Sequence, residues 1–229
     1  MPMRRKLVVE FIGTFFLVFT VCTATHPGTG AGVLAPLAIG AVLMVMVFAG
    51  GHVSGGHYNP AVSTAVLLRG KMAANEWGPY VVTQLVAGVL AALLARGVVG
   101  HSSAGPTPGV GKMLIAELVF TFALAWVVLN VATARGTEGN SFYGLAIGFT
   151  VAAGAFAVGG VSGGAFNPAV GLGASLMGLF KWSHYWIYVV GPLVGAAVAA
   201  FTFLYTQPAE KLEGDIEAAR TPGAADELR

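Results

Sequence analysis

The chain has 229 residues, 56% hydrophobic and only 10% charged, with a formal net charge of +2. Soluble domains usually carry about 25% charged residues, so a mean hydropathy of +0.77 excludes one or two water-soluble domains of this length. No basic nucleic-acid stripe, glycine-rich phosphate loop or catalytic-triad spacing is present; lipid is the expected solvent, and nucleic-acid binding and enzyme activity are not expected.

In chain order, Arg4, Arg5 and Lys6 precede a first apolar stretch, Leu7–Thr25. It is too long for a signal peptide and has a counterpart at Ile115–Trp126, so we expect it to stay in the mature protein. It contains Glu10 and the sole cysteine, Cys22, which forms no internal disulfide and reads as a small packed side chain. Val33–His52 follows, then the turning segment Ser54–Gly56, Asn59-Pro60-Ala61 and a short apolar run, Ala61–Leu68. The next stretches are Trp77–Val98, Met113–Thr133 (which holds Glu117) and Phe142–Gly160. Ser162–Gly164, Asn167-Pro168-Ala169 and the short run Ala169–Leu179 lead to the last stretch, His184–Thr206. Six stretches approach the ~20 residues needed to cross ~30 Å of hydrocarbon. None alternates strictly, which disfavours a β-barrel.

The segment Val53–Val62 recurs as Val161–Val170, and Leu37–Gly40 and Tyr80–Val82 match Leu145–Gly148 and Tyr188–Val190 at the same offset of 108 residues. The region 1–206 is thus one domain of two repeats, about 7–98 and 113–206. Three spans per repeat is an odd number, so the second copy enters the membrane from the opposite face. Lysine and arginine near the spans count six on one side (Arg4, Arg5, Lys6, Arg69, Lys71, Arg135) and three on the other (Arg96, Lys112, Lys181). The positive-inside rule then places both termini in the cytoplasm. From Gln207 to residue 229 the acidic tail is expected to be solvated and loosely ordered.

The runs after the two Asn-Pro-Ala tripeptides are too short to span, which predicts re-entrant half-helices. Proline suits the first helical turn and asparagine the N-cap. Inverted symmetry sets the two N-termini face to face, each carrying roughly half a positive charge. Such a zone repels cations and hydronium, while Asn59 and Asn167 offer N–H donors to one passing oxygen and interrupt a proton-conducting water chain. Backbone carbonyls of Gly56, His57 and Tyr58, and of Gly164, Ala165 and Phe166, are expected to accept from the file of molecules.

Glu10 and Glu117 are matched intramembrane acids. Proton relay is one reading; the favoured one is structural, accepting bonds from the non-helical backbone before each half-helix. His52 and His57 flank Gly55-Gly56, with too few partner ligands for a metal site; His57 and His26 could act as pH gates, though packing is the favoured role. Gly144/Gly148 and Gly191/Gly195 have the spacing that brings membrane helices close. Trp77, Tyr80, Trp182, Tyr185, Trp186 and Tyr188 read as interface anchors.

With these motifs (GHVSGGHYNPAV at 51–62, GGVSGGAFNPAV at 159–170, the openings Glu10–Thr14 and Glu117–Thr121, and Gly191–Gly195) the chain resembles the aquaporin, or major intrinsic protein, family over about Leu7–Tyr205. The resemblance implies an all-α membrane protein of six transmembrane helices and two half-helices, a homotetramer with a pore in each copy, and passive conduction of water or small neutral solutes without a cofactor. It also implies a filter of Ile39, Ala155, Gly164 and Val170. Members usually have arginine where this chain has Val170, and often histidine at Ala155. The expected mouth is therefore wider and apolar, like that of plant vacuolar members with valine at the same place, which pass ammonia, urea and hydrogen peroxide as well as water. Those members often have histidine where this chain has Ile39. The aspartate of glycerol-conducting members is absent, Val170-Gly171-Leu172 standing there instead. Two rivals are a proton-coupled carrier using Glu10 and Glu117, and a structural membrane protein with a vestigial pore.

Overall fold

A computed structural model describes residues 1–28, 31–103 and 109–210. Helices dominate because the apolar stretches have no water to satisfy their backbone and must do so internally. Helix α1 covers Met3–Ala24, α2 Ala35–Ser54, the short α3 Pro60–Leu68 and α4 Ala74–Val99. The second set is α5, Val110–Ala132, α6, Tyr143–Ser162, the short α7, Pro168–Leu176, and α8, Ile187–Thr206. Six of them are long and apolar enough to cross a membrane. Large apolar side chains such as Val82, Ile115 and Phe201 face outward, each more than 60% exposed, as a lipid-facing surface requires.

The half-helix boundaries come from local chemistry. Both α2 and α6 end in left-handed glycines, Gly55 at φ 90° and Gly163 at φ 94°, a backbone state glycine adopts at little cost. The second half-helix ends at Leu176 rather than at the expected Leu179. Gly178 turns left-handed at φ 76°, and the Leu179 N–H folds back onto the Ala174 carbonyl at 2.9 Å.

The repeats interlock. Helices α2 and α6 cross where their backbones nearly touch: a Cβ on Gly148 would lie 3.0 Å from the Met44 amide nitrogen and 2.7 Å from its Cβ. Gly195 stands equally close to α5, where an added Cβ would lie 2.9 Å from the Phe122 amide nitrogen, which accounts for the small-residue spacing. Each half-helix packs on the last span of the other repeat, α3 on α8 and α7 on α4. At the second contact a Cβ on Gly88 would come within 2.9 Å of the Ala169 carbonyl oxygen.

Two expectations are corrected. Tyr80 and Tyr188 are not interface anchors: both are 1% exposed, and their hydroxyls donate to the Ser54 and Ser162 carbonyls at 2.7 and 2.6 Å. They tie down the ends of α2 and α6, whose last carbonyls lack helical partners. Trp182 and Trp186 do lie on the surface, 55% and 46% exposed. The solvated tail also fails at its start. Glu210 is buried, 6% exposed, with its Oε2 accepting from Arg69 at 2.5 Å and its Oε1 from the Arg135 backbone N–H at 2.8 Å. Burial alone would raise this carboxyl, but the Arg135 N–H and the Arg69 and Arg135 charges outweigh it and hold the group below its ordinary range. Arg69 caps α3 and is itself buried, its guanidinium over the Phe203 ring at 5.0 Å and donating to the Thr133 carbonyl at 3.2 Å. From residue 211 onward the tail expectation lies outside the described residues.

Candidate functional site: the junction of the two half-helices

Asn59 and Asn167 stand at the N-caps of α3 and α7 in extended conformation, φ −158° and −161°. Each Oδ1 accepts from the amide two residues on, Ala61 at 2.8 Å and Ala169 at 2.9 Å. That bond fixes which end of the side chain is oxygen. Each Nδ2 then crosses to the opposite loop, Asn59 donating to the Phe166 carbonyl at 2.8 Å and Asn167 to the Tyr58 carbonyl at 2.9 Å. A side-chain amide has two N–H donors, so one remains on each asparagine. Pro60, Ala61, Pro168 and Ala169 are buried behind them as the first turns of the two half-helices.

Asn59 and Asn167 both line a narrow cavity of about 20 Å³, and about 10–15 Å³ is the minimum for one water. Its polar side comprises the two asparagines with Gly56, His57, Gly164 and Ala165; the rest is aliphatic, from Leu17, Leu43, Leu124, Ile147 and their neighbours. Beyond it opens a vestibule of about 700 Å³, whose wall includes Lys6, Lys71 and Arg135. Three residues counted on one membrane side therefore do share one end of the bundle.

Of the four expected filter residues, Ile39, Gly164 and Val170 line the narrow cavity and Ala155 does not. Ala155 stands beside Gly164, whose added Cβ would lie 3.3 Å from the Ala155 Cα; its repeat counterpart, Val47, lines the vestibule. The row of carbonyl acceptors needs correction as well. Gly56, His57, Gly164 and Ala165 line the cavity, but Tyr58 and Phe166 do not. Both adopt a left-handed backbone at φ 48°, which costs a residue with a Cβ roughly 1–2 kcal/mol. The turn directs their carbonyls to the opposite asparagines and their rings into the core. A Cβ on Gly13 or Gly50 would overlap the Tyr58 side chain.

The two acids supply what holds that backbone. Glu10 accepts from Ser54 Oγ at 2.7 Å and from the His57 and Tyr58 amides at 2.9 and 2.7 Å. Glu117 does the same for Ser162 Oγ and for the Ala165 and Phe166 amides, at 2.7, 3.0 and 2.7 Å. Both acids are fully buried. Among the described residues no cluster of three or more metal-ligating side chains occurs.

Sequence reading missed most of the aliphatic wall. The repeat itself carried the signal: Ile39 and Leu43 have their counterparts in Ile147 and Val151, and Val170 in Val62, all of them on the cavity wall.

This is the architecture of a membrane channel built on two opposed half-helices. The family model for major intrinsic proteins matches residues 2–203, and the chain belongs to that family, whose members are passive channels rather than enzymes. It is 38% identical over 218 residues to a probable aquaporin TIP4-1 of Oryza sativa subsp. japonica, spanning 87% of this chain and 85% of that one. It is 36% identical over 209 residues to the glycerol uptake facilitator protein-like 6 of Lactiplantibacillus plantarum, covering 86% of this chain and 95% of the relative. The fold is similar to the X-ray structure of the aquaglyceroporin from Plasmodium falciparum, with a TM-score of 0.77, 23% identity, and coverage of 92% of this chain and all of that one.

Proposed function

We propose that the chain conducts water passively, together with small uncharged solutes such as ammonia, urea and hydrogen peroxide, and excludes protons and ions. The observation that carries this reading is the crossed pair of asparagine amides. Each has one N–H committed to the opposite loop and one left for the cavity. A water whose oxygen accepts both remaining donors cannot readily accept from the next water, so the proton wire breaks there. The half-helix N-termini add positive potential that repels cations.

Ile39, Gly164 and Val170 set the aperture in this reading, with Ala155 standing beside Gly164. None carries a charge, so cation exclusion falls to the half-helices and asparagines. Glycerol passes on width, in keeping with the facilitator among the relatives. Glu10 and Glu117 act as scaffold, because their oxygens are occupied by backbone and serine donors rather than left free to carry protons. The active form is a homotetramer in the cell membrane, with both termini cytoplasmic, the orientation the arginine and lysine count favours.

Stopped-flow light scattering on proteoliposomes tests the proposal with sucrose, urea, ammonium and glycerol gradients. Vesicles holding the protein should shrink faster than empty ones in sucrose without carrying a pH-driven current. Shrinkage no faster than in empty vesicles, or a large proton current, overturns it.

A further inference from the structure

The two repeats agree in backbone but differ in polarity behind the half-helices. His57, Ser63 and Gln84 have as repeat counterparts Ala165, Gly171 and Pro192, so a polar group in the first repeat is missing from the second at three positions together. In the first repeat the three side chains connect. Gln84 Nε2 lies 2.8 Å from Glu10 Oε2 and 3.0 Å from Ser63 Oγ, and Ser63 Oγ lies 3.1 Å from His57 Nδ1.

The network runs outward from the Glu10 carboxyl. Gly56 N–H donates to Ser54 Oγ at 3.0 Å, so the Ser54 proton goes to Glu10. Glu10 then receives Ser54, the His57 and Tyr58 amides and Gln84, which fills the roughly four acceptor sites of a carboxylate. The Gln84 group facing it is the nitrogen. That same nitrogen donates to Ser63. With its oxygen accepting there, Ser63 keeps its O–H to donate, and His57 Nδ1 stands 3.1 Å away. A bond in that direction makes Nδ1 the acceptor and leaves the ring proton to Nε2. Among the described residues no protein hydrogen bond occupies Nε2, and His57 lines both the narrow cavity and the vestibule.

We propose that His57 is a third specificity-determining donor of the passage, offering Nε2–H to the permeating molecule, and that Glu10, Gln84 and Ser63 are positioning residues that dictate its tautomer. The passage is then asymmetric in chemistry although symmetric in backbone. A solute oxygen leaving the asparagines meets another donor on the vestibule side and only Ala165 on the other. This inference rests on the reading of the cavity as a conduit.

Nitrogen-15 NMR of the full chain in lipid, labelled at histidine, tests it, with His57 assigned by the signal lost in His57→Gln. The expected wild-type ring is neutral and protonated on Nε2. Ser63→Ala should yield a mixture of tautomers and lower water permeability about two- to fivefold, the scale of one hydrogen bond; Ser63→Thr, which keeps the hydroxyl, should restore both. An Nδ1-protonated or charged wild-type ring overturns the inference, as does a Ser63→Ala tautomer identical to wild type. A shifted tautomer with unchanged permeability removes the donor role. The spectrum does not depend on flux, so the expected tautomer in a protein that conducts nothing would sink the channel reading instead.

Discussion

Asn59 and Phe166 lie 107 positions apart in the chain and 2.8 Å apart in space, amide nitrogen to carbonyl oxygen. With the reciprocal bond from Asn167 to Tyr58, this contact makes each half-helix a condition of the other's geometry. Asn167→Ala removes the cap of α7, worth about 1 kcal/mol, and the crossing bond with it. It should lower thermal stability and cut water permeability about fivefold, on the order of 1 kcal/mol for a lost donor. A variant conducting at the wild-type rate would show that the asparagines do not touch the permeant.

Val170 lines the narrow cavity and carries no charge. Val170→Arg fills that side of the aperture and adds five donors. Solute-specific stopped-flow rates should then fall more for urea and glycerol than for water. Equal losses for all three solutes would undo the assignment of Val170 to the filter.

Glu210 makes stability depend on acid. Its folded carboxyl titrates below the ordinary glutamate value of about 4.3, so its contribution is present above that value and is lost as pH falls through the lower folded one. Melting in detergent should therefore show an acid-labile component below about pH 4. Glu210→Gln should lack that component and, at neutral pH, unfold more easily by on the order of 2 kcal/mol, the scale of a charge-assisted bond. Identical acid curves for both proteins would remove Glu210 from the account.

Glu10 and Glu117 are equivalent in position and unequal in load, Glu10 holding the extra donor from Gln84. Glu10→Gln puts an amide where donors converge and should destabilise the fold more than Glu117→Gln, by on the order of 1 kcal/mol. Neither variant should change the proton dependence of flux, because none is expected. Uphill solute accumulation abolished by Glu10→Gln would instead establish the proton-coupled carrier.

The spans, the repeat and the positions of the half-helices were legible because hydropathy and the 108-residue offset act over long stretches. Asn59 and Asn167 were legible through their prolines. What escaped depends on single backbone turns and on contacts between distant segments. A non-glycine residue at positive φ leaves no mark in sequence, so Tyr58 and Phe166 were placed in the acceptor row when their carbonyls serve the asparagines. Tyr80 and Tyr188 looked like interface residues because an aromatic at the start of a span has the same composition whether its hydroxyl meets headgroups or a buried carbonyl. Glu210 sits in an acidic stretch whose average character is solvated; its burial depends on Arg69, far away in the chain, capping a half-helix.

The exchange of half-helices between repeats bears on biosynthesis. While α8 is still in the ribosome, α3 lacks the last span it packs on, and the first three spans alone cannot shape a conduit. Insertion into a bilayer can thus proceed without opening a leak, since the passage comes into being only when the final helix docks.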